Sequence, residues 1–232
     1  MNLMPRILLL LTCLLAMPPG LAATEPGAAQ QSKASAGRAR VDYEKLALAD
    51  LVRRARAGNA QAQFELGSRF NYGRSVPKNV PEALVWLRRA GLAGQPDAQR
   101  LLAVKYFNGF DVAIDQEEAF RWAQRLAEAG DAAGQVTLAS MYANGEGVPR
   151  SLVRSYMWYD IAAASAQLAA QDDAQAPLAL EAGALRDKTG ALLLPDEEQE
   201  AQRLASDWWL KKQRVSLQGK PLAKAQPAKS KR

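Results

Sequence analysis

Between residues 59 and 166 small and apolar positions recur at intervals of three and four, and the whole pattern returns every 36 residues. Ala62, Ala98 and Gly134 lead to Leu66, Leu102 and Leu138, then Gly67, Ala103 and Ala139, then Phe70, Tyr106 and Tyr142. Steps of four keep these columns on one helix face. That helix is expected to end at Gly73, Gly109 and Gly145, since a residue without a Cβ enters the left-handed region at little cost. A short loop follows, carrying Val76, Val112 and Val148. Asn79, Asp115 and Ser151 are then N-caps for a second helix, with Glu82 and Glu118 in capping-box spacing after the first two. Along it run Ala83, Ala119 and Ser155, then Trp86, Trp122 and Trp158, then Ala90, Leu126 and Ala162, and Gly94 and Gly130 stop the first two copies. Small columns let helices approach while the indoles fill the space between them. Each pair buries its apolar face only on its neighbours, so the chain is an all-α repeat array.

The repeats therefore span 59–94, 95–130 and 131–166, copy two differing at Phe110 and Asp111, where copy three has Glu146 and Gly147. Before them, Leu46, Leu48, Leu51 and Val52 mark an amphipathic helix that ends at Gly58, 36 residues ahead of Gly94, and caps the array over 41–58. After residue 166 the register fails. A C-terminal helical cap is expected over 167–210: a helix with Leu178, Leu180, Leu185 and Leu192 as apolar positions and a break near 172–177, then one opened by Pro195 with Asp196, Glu197 and Glu198 in its first turn.

The pattern A-x-x-x-L-G-x-x-[FY]-x-x-G-x-x-V-x-x-[DNS]-x-x-x-A-x-x-W-x-x-x-A-x-x-G resembles the Sel-one-like repeat, a relative of the tetratricopeptide repeat. Leu185, Arg186, Asp187, Pro195, Ala201, Leu204, Ala205 and Trp208 are similar to the closing segment of secreted bacterial members, with Leu194 where those usually have Ser or Thr. The resemblance implies a right-handed α-solenoid of antiparallel helix pairs whose inner face binds extended segments of partner proteins.

On the first helices the face opposite the Leu and aromatic stripe carries Phe64, Ser68, Asn71 and Tyr72, then Arg100, Val104, Phe107 and Asn108, then Val136, Ser140 and Asn144. These form the candidate partner-binding groove. Phe64, Val104, Phe107 and Val136 serve as apolar anchors there or pack on the adjoining helix. Asn108 and Asn144 either grip a carboxylate or simply end their helices. Trp209 follows the core position Trp208 by one residue, about 100° around the helix, and is the expected exposed aromatic.

Composition narrows the chemistry. Cys13 is the only cysteine and no histidine occurs, which removes disulfides, imidazole bases, thiol nucleophiles, zinc sites and haem attachment; no cofactor is expected. Residues 1–22 carry Arg6, an apolar run over 7–17, Pro18, Pro19 and a small-residue end, the layout of a secretory signal cleaved after Ala22 or Ala23. The run is too short for a membrane span. Cys13 lies inside it after Thr12, unlike a lipid-attachment cysteine. Residues 23–40 read as a disordered linker. The expected setting is periplasmic or secreted.

The net charge of +6 is unevenly placed. Residues 41–210 hold 18 Lys and Arg against 23 Asp and Glu, a net of −5, whereas 211–232 reads as a disordered basic tail with Lys211, Lys212, Arg214, Lys220, Lys224, Lys229, Lys231 and Arg232. Export makes nucleic acid an improbable partner for it; anionic lipid, wall polymer or an acidic protein fits better, and so does a plain solubilising role.

Three functions remain: a non-catalytic envelope adaptor, a wall or membrane-surface binder acting through the tail, and remotely a penicillin-recognising enzyme. The last rests on Ser75-Val76-Pro77-Lys78 and Lys188-Thr189-Gly190, two of three short signatures of that chemistry. Ser75 falls in an inter-helix loop and the third signature is missing, so no catalytic residue is assigned.

Overall fold

A computed structural model describes residues 41–169 and 176–218. The leader over 1–22, the linker over 23–40 and part of the tail lie outside these residues. The described chain is helical throughout, with no strand and no helix long and apolar enough to cross a membrane. The leading helix α1 is Leu48–Arg56. Three hairpins follow: α2 (Ala60–Tyr72) with α3 (Val80–Leu92), α4 (Pro96–Asn108) with α5 (Gln116–Ala129), and α6 (Ala132–Asn144) with α7 (Leu152–Ala169). The C-terminal helices are α8 (Ala176–Gly190) and α9 (Pro195–Gln218), both packed on α7.

The core has three stations that share helices. Leu51 and Ala55 of α1 meet Ala62, Leu66 and Trp86. Leu87, Leu102, Tyr106, Trp122 and Met141 form the next, drawing on α3 to α6. Leu138, Tyr142, Trp158 and Ile161 then pack with Ala201 and Ala205 of α9. Phe70 joins the first two stations and Phe120 the last two, so the interior is continuous. All three indoles of the repeat are buried.

Helix ends follow the expected chemistry with one difference. Gly73, Gly109 and Gly145 close their helices at φ 71°, 74° and 78°. Asn79 and Asp115 accept from the backbone N–H of Glu82 and Glu118. The glutamate side chains do not reach back, because the cap N–H groups already donate to Phe70 O and Tyr106 O. Glu82 and Glu118 instead accept the indole N–H of Trp86 and Trp122, at 2.7 and 3.1 Å. A buried indole donor thereby finds its partner four residues back on its own helix.

Copy two's loop keeps the backbone of the others despite Phe110 and Asp111. Ser75, Asp111 and Gly147 occupy one column and all have positive φ, 62°, 59° and 71°. Only at the third is glycine compulsory by space: a Cβ on Gly147 would lie 2.0 Å from the carbonyl oxygen of Gln116.

The C-terminal cap departs from expectation in several places. Leu180 and Leu192 are exposed, while Ala182 and Leu185 meet the core. The N–H of Leu194 donates to the Glu197 carboxylate at 2.9 Å, the return half of a capping box whose Ser or Thr half is missing here. Most important, α9 runs on to Gln218 instead of giving way to a tail at 211. Lys211, Lys212 and Arg214 are helical. Lys212 stands 5.2 Å from the Trp208 ring centroid and donates to the carbonyl of Glu128, one residue from the end of α5, where a cation suits the helix dipole.

Candidate functional site

Two first helices, α4 and α6, bound a mainly apolar cavity of about 260 Å³. Val104, Phe107 and Asn108 project from α4 at i, i+3 and i+4, and Val136, Thr137, Ser140 and Met141 from α6; Ala103 and Ala119 form its floor and Glu146 its edge. Five expected groove residues thus come together: Val104, Phe107, Asn108, Val136 and Ser140. Phe107 and Val136 also pack on the core from this position, as the packing reading expects.

A second hollow of about 530 Å³ adjoins it and shares Val104. Exposed Tyr72 and Phe110 line it, with Asn71, Lys78, Lys105 and Asp111. Lys105 is 2% exposed, and its ammonium lies 2.7 Å from Asn71 Oδ1 and 3.3 Å from Asp111 Oδ2. Lys78 holds the other oxygen of Asp111 at 2.8 Å. That bond, aided by Lys105, keeps the Asp111 carboxyl below the usual carboxylate range. Two ammoniums sharing one carboxylate leave a net positive charge at this end.

Other expected groove residues are placed differently. Ser68 and Asn71 are buried, covered by long cations: Arg74 donates to Ser68 Oγ at 2.6 Å, as Lys105 does to Asn71. Phe64 packs into the core station behind α2. Arg100 bridges Asp97 and Asp131 at 2.8 and 2.9 Å, tying one repeat to the next. Asn108 donates to Val104 O within its own helix, and Asn144 is exposed as the last residue of α6, so both end helices. Trp209 is not an exposed aromatic: it is partly buried, set edge-on to Trp208 at 5.0 Å, which itself meets Trp158 at 5.8 Å. Of the eight basic residues, Lys220, Lys224, Lys229, Lys231 and Arg232 lie outside the described residues.

Two features of the site are not marked by residue type in the sequence. Gln63, Gln99 and Gln135 form a buried column at the 36-residue spacing, each donating its amide to a carbonyl eight residues back, on Ala55, Gly91 and Ala127. They clamp each first helix to the end of the preceding second helix. Their spacing was visible, but glutamine does not announce burial as leucine does. Glu146 is the other: nothing in its local pattern marks a carboxylate at a groove.

Ser140 Oγ is 2.9 Å from the Tyr159 hydroxyl, and no nucleophile and base meet in the lining. Ser75 sits in the loop after α2, and Lys188, Thr189 and Gly190 form the last turn of α8, with Thr189 Oγ bonded to Leu185 O. Neither context is that of the penicillin signatures.

The Sel1 repeat family model matches residues 60–95, 96–131 and 132–166, each match opening one residue after an N-cap. No curated protein matches the chain at a significant level. Among solved structures, a Sel1 repeat protein from Oxalobacter formigenes is 39% identical, with 50% of this chain and 88% of that chain covered and a TM-score of 0.47. Another, c5321, is described as a protective antigen of uropathogenic Escherichia coli strains displaying an SLR fold. It is 22% identical over 78% of this chain and 45% of that one, with a TM-score of 0.46. With three consecutive family matches and that identity to a Sel1 repeat protein, the chain belongs to the Sel1 repeat family, whose members generally mediate protein–protein interaction.

Proposed function

We propose that this chain is a non-catalytic adaptor of the bacterial cell envelope that holds an extended segment of another protein along the faces of α2, α4 and α6. The cavity between α4 and α6 carries the reading. At about 260 Å³ it exceeds the roughly 150 Å³ cavity that takes up benzene, yet falls below the roughly 300 to 1,000 Å³ of pockets that enclose whole small ligands. It suits one large side chain rather than a metabolite. Burying a leucine there contributes about 1.5 to 3 kcal/mol, so useful affinity needs further contacts along the exposed Tyr72 and Phe110.

A photocrosslinking amino acid at Thr137, on the cavity wall, is expected to give a discrete protein adduct in the native envelope. The same group at exposed Val85 on α3 is expected to give none. No adduct at 137, or equal labelling from both positions, would sink the adaptor reading.

The envelope location rests on the layout of residues 1–22. Mass spectrometry of the protein from its native host is expected to find a chain beginning at Ala23 or Thr24. A chain retaining Met1 to its full length would count against export.

A further inference from the structure

The groove carries charge at both ends, and the charges differ. Among the described residues no cation pairs with Glu146, which is partly buried at the edge of the apolar cavity. The adjoining hollow ends on half-exposed Lys78, which with buried Lys105 outweighs the single carboxylate of Asp111. Val104 belongs to both hollows, so they adjoin along one face.

We infer that the groove selects a segment with a mixed charge pattern: an aliphatic or aromatic anchor for the cavity, a basic residue toward Glu146 and an acidic residue toward Lys78. This rests on the adaptor reading and refines it. A ligand cation would meet in Glu146 a carboxylate with no competing ion pair among the described residues. An acidic residue at the Glu146 end would meet repulsion instead, so the same group supplies discrimination as well as attraction. A polybasic segment, such as the chain's own residues 219–232, satisfies only one end.

The test uses capped peptides with one leucine, a lysine two residues to one side and a glutamate farther along on the other, in both chain directions. Changing peptide lysine to glutamine is expected to weaken binding about fivefold to wild type and hardly at all to Glu146→Gln. Peptide glutamate to glutamine against Lys78→Gln is expected to behave likewise. Such coupling between peptide and protein changes is a readout that a purely structural role for Glu146 or Lys78 would not move, and thermal melts confirm that both variants fold. If leucine-dependent binding is present but insensitive to these charges, the inference fails and the groove stands. If the wild-type protein shows no leucine-dependent binding with peptide at about 1 mM, both fail. Equal binding of a peptide copying residues 219–232 would overturn the requirement for an acidic end.

Discussion

Replacing Trp122 with alanine is expected to lower the stability of the array by about 3 to 5 kcal/mol. The indole is 4% exposed and is wedged so far into its neighbour that a Cβ on Gly91 of α3 would lie 2.7 Å from its Cζ3. Leu87, Leu102, Tyr106 and Ala119 share its station, so the void would open between three helices that cannot all collapse together. Loss of the indole hydrogen bond is the smaller effect: Glu118 keeps Arg88 at 3.2 Å and Arg121 at 2.9 Å. Because each hairpin is stabilised mainly by its neighbours, the void also loosens the coupling between the first and third repeats. Urea unfolding followed by far-UV circular dichroism should show a lower midpoint and a broader transition, with Trp122→Phe recovering most of the loss. A cost below about 1 kcal/mol would mean that the indole does not fill this space.

Much of this architecture was legible because the physical demands repeat with the sequence. A buried face needs leucine and small residues in every copy, and a helix end needs glycine or a cap in every copy, so 36-residue columns exposed both. The groove was legible only where its residues lack a long neighbour. Val104, Phe107, Val136 and Ser140 line the cavity as read, but Ser68 and Asn71 sit under Arg74 and Lys105. A face assignment gives the direction of a side chain and says nothing of what folds over it. The end of α9 was misread for a related reason. Lysine-rich composition suggested a solvated tail, yet Lys, Arg, Gln and Leu are good helix formers, and Lys212 gains both the Trp208 ring and the carboxyl end of α5.

The position held by Arg69, Lys105 and Met141 shows where a repeat stops being informative. It is buried in all three copies, but its chemistry changes from guanidinium to ammonium to thioether, each answering to a different neighbour. In the first copy that neighbour is the segment just before α1. Arg69 Nε donates to Glu65 Oε1 at 2.9 Å, and Nη2 donates to the carbonyls of Tyr43, Glu44 and Leu46 at 3.2, 2.8 and 3.0 Å. Both side chains of the pair are under a tenth exposed. Arg69→Ala is therefore expected to cost about 3 to 5 kcal/mol, chiefly because Glu65 remains as a buried charge without its partner. Removing both charges with Glu65→Leu and Arg69→Met should recover most of that cost, since the pair's Coulomb attraction largely offsets its desolvation. The two variants should nonetheless share one defect: without the guanidinium the segment before α1 loses its anchor, and hydrogen exchange in α1 should quicken ahead of α2 to α7. Equal destabilisation of single and double variants in urea would refute the uncompensated-charge account. Unchanged protection of α1 in both would refute the anchor, and would mean that Leu51 and Ala55 hold the leading helix by burial alone.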